Sequence, residues 1–282
     1  MYRNTFIKLL FVFFLCGISR ATALYNKREA EMDKEEYESE INIFNCKLGA
    51  TDKDSWLERM DGVIAAMKSN SIRMNTFFTL QGASADQAED ISVRLNGDDK
   101  TSPWTYVGAD AGVPIFYNSS EWGFVNGTSQ TFRSPHPPPW AAAFSTGLFI
   151  NKMDESEIII VNAHADAESE EEQKMATKYI LGKVSPLKPY PPWMIAGNLD
   201  YSTISKILPS IRTDGSIRAD NSIRTDGSIR ADNSITAGNI VFAVGDGIAV
   251  SAYESVDNKS DDGIVFSEDK PSIVTIKIRR DW

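Results

Sequence analysis

Residues 190–201, Tyr-Pro-Pro-Trp-Met-Ile-Ala-Gly-Asn-Leu-Asp-Tyr, constrain the fold of this chain more than any other stretch. The apolar run 193–196 reads as a buried strand that breaks at Gly197 and then presents two short polar side chains, Asn198 and Asp200. A strand end is held by packing below and open to ligand above, which is where α/β folds place their chemistry. Positions i and i+2 of an extended segment face the same way, so Asn198 and Asp200 can share one site. Gly, Asn and Asp also serve plain turn geometry, and on this stretch alone both readings stand.

A chain of 282 residues with 42% hydrophobic content can bury a substantial core, and nothing before residue 209 has the composition of an interdomain linker. Residues 1–23 read as a secretory signal: a basic start at Arg3 and Lys8, an apolar core over 9–18, and a small-residue cleavage site at Ala21-Thr22-Ala23. That apolar run is too short to span a bilayer, and no later segment reaches the required length. The expectation is a secreted, extracellular protein with no membrane insertion. Loss of Arg3, Lys8 and Arg20 with the signal moves the formal net charge from −10 to −13. Such a balance excludes a broad electrostatic grip on nucleic acid, whose affinity comes largely from Lys and Arg on phosphates. It does not exclude a nuclease that holds its substrate locally through metal ions. Cleavage also removes Cys16 and leaves Cys46 alone in an apolar stretch, which predicts a buried structural thiol and no internal disulfide. Glycosylation sequons occur at Asn118, Asn126 and Asn258.

Residues 24–40 form an acidic leader, and 41–282 read as one domain. Ile41-Asn42-Ile43-Phe44-Asn45-Cys46 alternates as a first core strand. Helical spacing over 52–68 puts Trp56, Met60, Val63, Ile64 and Met67 on one face. A strand over 77–82 ending in Gly82, a helix over 85–96 and strands over 104–107, 113–117 and 122–125 follow. Phe132 leads through a proline-rich corner containing His136 to a strand over 140–149. The strand 157–163 delivers His164, and a helix over 168–184 opens on an acidic run that the helix dipole favours. Strands are expected over 239–250, 263–266 and 272–278. Between them the dodecamer 210–221 recurs unchanged over 222–233, in units too short to hold a core of their own, and reads as a flexible loop insertion. This order predicts an α/β (α+β) four-layer sandwich of two mostly antiparallel β-sheets with outer helices.

The strand-end residues carry a resemblance. Phe44-Asn45, Leu80-Gln81-Gly82, Phe132-Arg133-Ser134-Pro135, Asn162-Ala163-His164, the stretch Trp193 to Asp200, Asn239-Ile240-Val241 and Ser267-Glu268-Asp269-Lys270-Pro271 fall in the order of seven family motifs. Together they resemble the endonuclease/exonuclease/phosphatase superfamily, in particular its secreted DNase-like branch, which includes pancreatic-type deoxyribonuclease and the cytolethal distending toxin B subunit. The resemblance covers roughly 41–280. It implies His164, Asn198, Asp200 and Asp269 at catalytic positions, Asn45, Arg133 and Asn239 at substrate-binding positions, and Glu268 as a metal ligand. Mg²⁺ or Ca²⁺ is the implied cofactor, and DNA the implied partner, of an active enzyme, because a divalent cation must offset phosphodiester charge and attacking water needs a base.

The chain departs from that pattern at several points. Gly82 stands where the family places its metal-binding Glu, Asn198 and Asp200 are the family's Asp and Asn exchanged, and Asn239 replaces an Asp. Asp269 replaces the closing histidine, and a carboxylic acid with an ordinary pKa near about 4 is a poor base at neutral pH. Only His136 and His164 exist in the chain, and His164 alone matches. The reading is therefore a secreted, catalytically impaired DNase-like pseudoenzyme that acts by binding an unknown protein or extracellular ligand, in an effector or toxin-like role. The alternative is an active divalent-metal-dependent endonuclease or phosphodiesterase cleaving DNA with a rearranged site. Lipid phosphatase or sphingomyelinase activity is disfavoured by the lack of a membrane-seeking apolar stripe or basic cluster.

Overall fold

The alternation of residues 41–46 becomes strand β1 (Ser39–Lys47) of the computed structural model, which describes residues 39–48, 53–71, 75–97, 103–133, 140–184, 191–200, 202–204, 222–223, 238–244, 248–259, 265, 267 and 270–278. They form one compact unit, Ser39–Ile278. The expected signal, most of the expected leader, His136, Glu268, Asp269 and all of the repeat except residues 222–223 lie outside the described residues.

Helix α1 (Lys53–Ser71) follows β1, then β2 (Thr76–Gln81), helix α2 (Ala85–Asn96), β3 (Trp104–Val107), β4 (Ile115–Asn118), β5 (Trp122–Arg133), β6 (Ala141–Asn151) and β7 (Glu157–Asp166). Helix α3 (Glu170–Val184) leads into β8 (Trp193–Leu199), β9 (Ser222–Ile223), β10 (Gly238–Val244), β11 (Ile248–Ser255) and β12 (Ser272–Ile278). The first sheet has the order β11-β12-β1-β2-β4-β3 and the second β5-β6-β7-β8-β10-β9. Only β1 with β2 and β7 with β8 run parallel; every other neighbouring pair is antiparallel. These are the two mostly antiparallel sheets with outer helices that the sequence order predicts.

Three apolar layers hold the sandwich. Between the sheets lie Ile41, Ile43, Phe77, Ile158, Ile160, Met194, Ala196, Val274 and Ile276. The outer face of the first sheet, with Phe44, Cys46, Phe78 and Leu80, packs on the helical face Trp56, Met60, Val63, Ile64 and Met67 of α1. The outer face of the second, with Val161, Ala163 and Ile195, packs on Ala176, Ile180 and Leu181 of α3. Cys46 is buried, as its apolar surroundings predict. Each large side chain buried this way contributes about 1.5–3 kcal/mol.

Helix starts are set locally. Ser84 and Gln87 form a reciprocal capping box at α2. Ahead of α3, the Ser169 Oγ accepts from the Glu172 N–H at 3.3 Å and the Glu172 carboxylate accepts from the Ser169 N–H at 3.0 Å. The acidic run thus supplies the cap of the helix that follows it.

Several expectations change. Gly197 does not break β8, which runs on to Leu199 with Gly197 at φ +148°. A Cβ there would sit 1.7 Å from the carbonyl oxygen of Ala163 on β7, so the strand stays continuous only because that position has no side chain. The expected strand 122–125 extends to Arg133 as an edge strand. The single strand expected over 239–250 is two, and they enter different sheets. Over 263–266 the described pairing is one isolated bridge between Lys259 and Val265. Ser222-Ile223 of the second repeat copy pairs with β10. Among the described residues no helix is long and apolar enough to cross a membrane.

Gly197→Ala is expected to cost at least about 3 kcal/mol, because backbone meets the new methyl on one side and neither strand can retreat. Urea unfolding monitored by tryptophan fluorescence measures it, and an unchanged midpoint would contradict the close β7–β8 approach.

Candidate functional site

Each strand that lines the space between the sheets changes character at the same level. On β1 the inward row runs Ile41, Ile43, Asn45; on β2 Phe77, Thr79, Gln81; on β7 Ile158, Ile160, Asn162, His164; on β8 Met194, Ala196, Asn198. On β12, which runs the other way, Ser272 precedes Val274 and Ile276. Register aligns these ends: Asn45 stands opposite Ser272 and Thr79, and His164 opposite Asn198, which in turn stands opposite Asn239. The apolar core therefore closes on a polar layer at one end of the sandwich, where the parallel strands have their C-termini. Among the described residues, sequence and structure bring Asn45, His164, Asn198 and Asn239 to this layer.

A chain of buried amides crosses from one sheet to the other. Asn162 Nδ2 donates to the carbonyl oxygens of Leu80 and Pro114, both at 2.8 Å, which leaves its Oδ1 as the acceptor. That oxygen receives Gln81 Nε2 at 2.7 Å, and the same Nε2 donates to Asn45 Oδ1 at 2.8 Å. Asn45 Oδ1 also accepts from Thr79 Oγ1 at 2.9 Å. The orientation of one amide thus dictates the next, starting from two backbone carbonyls that cannot donate. What remains is a buried donor, Asn45 Nδ2, a buried acceptor, Gln81 Oε1, and the hydroxyl of Ser272, none of which bonds another described residue. Buried polar atoms are costly unless a water or a ligand meets them.

His164 is half-buried on the same inward row. Arg133 ends β5, exposed, in register with Ala141 of β6 and through it with Asp166 of β7; that row lies two residues beyond the His164 row. Arg133 is therefore at the mouth of the layer rather than within it. Asn198 is buried and its side-chain and main-chain oxygens accept from Gln173 of α3 at 3.2 and 3.3 Å. Asp200 is also buried, with its N–H donated to Thr177 Oγ1 at 2.9 Å. Its Oδ1 accepts from Ser202 Oγ at 2.9 Å and from the Thr203 N–H at 2.8 Å, capping the helical turn 202–204. Both residues are tied to α3, but their side chains have separate partners, Asn198 on Gln173 and Asp200 in the turn ahead.

The described side chains do not fit a divalent cation. Gly82 lies just beyond β2 in the left-handed region, φ +76°, with its N–H donated to the Gly112 carbonyl at 3.0 Å. No ligand atom exists there, and a Glu would have to enter a conformation that costs L-residues about 1–2 kcal/mol. The layer itself offers neutral amides, hydroxyls and one imidazole, whereas hard cations select carboxylate oxygens. Among the described residues, no cluster of three or more His, Cys, Asp or Glu is placed to hold a metal. Glu268 and Asp269, expected as metal and catalytic positions, lie outside the described residues, although Ser267 and Pro271 flanking them are buried. Thr79, Gln81, Asn162 and Ser272 were not singled out from sequence as site residues; the available signal was a polar residue continuing each inward apolar row.

No protein-family model and no curated protein sequence matches the chain. Solved structures do. An endonuclease/exonuclease/phosphatase protein of Bacteroides vulgatus aligns with TM-score 0.59 at 15% identity, covering 86% of this chain and 100% of that one. TDP2 of D. rerio, complexed with single strand DNA product, aligns with TM-score 0.59 at 12% identity over 84% of this chain and 99% of its own. The mannosyl-6-phosphatase Bt3783 of Bacteroides thetaiotaomicron aligns with TM-score 0.54 at 14% identity over 84% and 98%. The chain has the fold of these endonuclease/exonuclease/phosphatase proteins, a scaffold that carries nucleases and phosphatases.

Asn162→Asp keeps the shape of the side chain but removes the donor that two carbonyls require. It is expected to cost about 3 kcal/mol or more, since a buried charge also faces two acceptors. Chemical denaturation reads this, and a neutral result would show that the amide chain does not set the layer.

Proposed function

We propose that this chain is a secreted protein of nuclease-like fold that works by binding and has no metal-dependent hydrolysis of its own. The observation that carries the reading is Gly82: the position the family resemblance assigns to the metal-binding Glu is a left-handed glycine. The amides behind it are held in one orientation by Asn162. Phosphodiester cleavage needs a cation to offset developing charge and a base to activate water. The described layer contributes His164 toward the second requirement and nothing toward the first. Asp200, the nearest described carboxylate in the chain after Asn198, has its Oδ1 in a turn.

Binding remains available to such a layer. Arg133 sets a cation at its mouth, and Asn45, Gln81 and Ser272 offer donor, acceptor and hydroxyl. Because D. rerio TDP2, of the same fold, is complexed with single strand DNA product, a single-stranded oligonucleotide is the first probe. An extracellular protein ligand, in an effector or toxin-like role, is the other candidate. One observation favours the rival reading of an active phosphodiesterase with a rearranged site: His164 stands on the inward row in register with Asn198.

A plasmid-nicking assay on the mature protein with Mg²⁺, Mn²⁺ or Ca²⁺ is expected to show no cleavage. Cleavage that disappears in His164→Ala would overturn the proposal. Gly82→Glu is expected to restore no nicking, because the backbone there is built for glycine; recovery of activity would mean that a single lost side chain is the whole defect. Arg133→Glu should weaken capture of a labelled single-stranded oligonucleotide by about tenfold, the equivalent of ~1.4 kcal/mol. An unchanged Kd would remove Arg133 from the binding surface.

A further inference from the structure

We infer that Asn126 is an N-linked glycosylation site and that its glycan shields the open edge of the second sheet, an inference that rests on the proposed secretion. β5 ends the strand order of that sheet and pairs with β6 alone. It is 12 residues long, Trp-Gly-Phe-Val-Asn-Gly-Thr-Ser-Gln-Thr-Phe-Arg, and its only charge is the terminal Arg133. Phe124 and Val125 are 39% and 50% exposed. A long edge without Lys, Glu or Pro is a template for pairing with another chain, and folded proteins cover such edges, charge them or distort them. Among the described residues the one such device within β5 is the register shift between Phe124 and Asn126.

The sequon Asn126-Gly127-Thr128 sits immediately after that bulge. Asn126 and Thr128 are exposed and pair with Leu148 and Thr146 of β6, on the face opposite the inter-sheet side where Ser129 bonds Asp110. The middle residue is constrained independently, since a Cβ at Gly127 would meet the Thr146 carbonyl oxygen at 2.2 Å and the Phe124 ring at 3.1 Å. Phe124 itself turns to the inter-sheet side, where its ring meets Tyr117 and Phe149, so the exposed apolar side chain adjoining the sequon is Val125, the bulged residue directly before Asn126.

The other two sequons are folded into turns. Asn118 Nδ2 donates to Glu121 at 3.2 Å while its Oδ1 accepts from the N–H and hydroxyl of Ser120 at 2.9 and 2.6 Å. Asn258 Nδ2 donates at 3.2 Å to the carbonyl of Ser267, which is buried. Asn126 makes no hydrogen bond of this kind with a described residue and is exposed on an extended strand. The chemistry is transfer from a polyprenyl-diphosphate-linked oligosaccharide in the secretory pathway. The Asn126 nitrogen bonds the anomeric carbon and gives up a proton, while the carbon–oxygen bond to the diphosphate breaks and its electron pair leaves with the polyprenyl diphosphate.

The test is to express the full chain with its leader in insect cells and map glycopeptides on protein from the medium. A glycan on Asn126, absent from Thr128→Ala and retained in Asn118→Gln, is expected. Protein in the medium with Asn126 unmodified overturns the inference while leaving secretion intact. Protein held in the cytosol without glycan overturns the secretion reading and the inference with it. Light scattering then tests shielding: the Thr128→Ala protein is expected to self-associate at concentrations where the glycosylated protein is monomeric, and equal monomer content in both would refute the shielding role.

Discussion

Asn162 joins the two sheets at the level where the apolar core gives way to a polar layer. Its Nδ2 bonds two carbonyls of the first sheet's side of the sandwich, Leu80 and Pro114, although Asn162 itself belongs to β7 of the second. Because those acceptors cannot exchange roles, the Gln81 and Asn45 amides are oriented in turn, and the direction of every side chain in the chain of amides follows from one residue. Apolar packing below this layer tolerates repacking; the amide chain does not, since each member fixes what the next can offer.

The same level holds a close approach of the β7 and β8 backbones. Gly197 lies against the Ala163 carbonyl. This closeness keeps His164 in register with Asn198 and lets α3 reach over to Asn198 through Gln173. The strand ends are therefore held in a tight register, while the described side chains of the inward rows include no carboxylate. Gly82 belongs to that geometry as well, since its left-handed turn carries the hydrogen bond to Gly112 that joins the end of β2 to the approach to β4.

Much of the fold was legible in the sequence. Helix α1 was readable from the period of Trp56, Met60, Val63, Ile64 and Met67, because one face of a surface helix is buried and the other is not. β5 beyond Val125 was not readable, since an edge strand exposed over most of its length has no buried face and hence no alternation. β10 and β11 merged into one expected strand because both are apolar, though Gly245-Asp246-Gly247 between them was a turn signal. The site was half legible. Asn45, His164 and Asn198 stood out through the family resemblance, but Gln81, Asn162 and Ser272 acquire meaning only from register, which places residues distant in sequence at one height. Asp200 shows the opposite: an acidic residue at a strand end reads as chemistry, and here its Oδ1 caps the next turn.

We propose that this layer holds no divalent cation and meets its ligand through the Asn45, Gln81 and Ser272 side chains, with Arg133 at its mouth. Calorimetric titration of the mature, folded protein with Mn²⁺ tests that claim most directly. No saturable binding up to millimolar metal is the predicted result, whereas a stoichiometric site of micromolar affinity, lost in Glu268→Gln or Asp269→Asn, would contradict it.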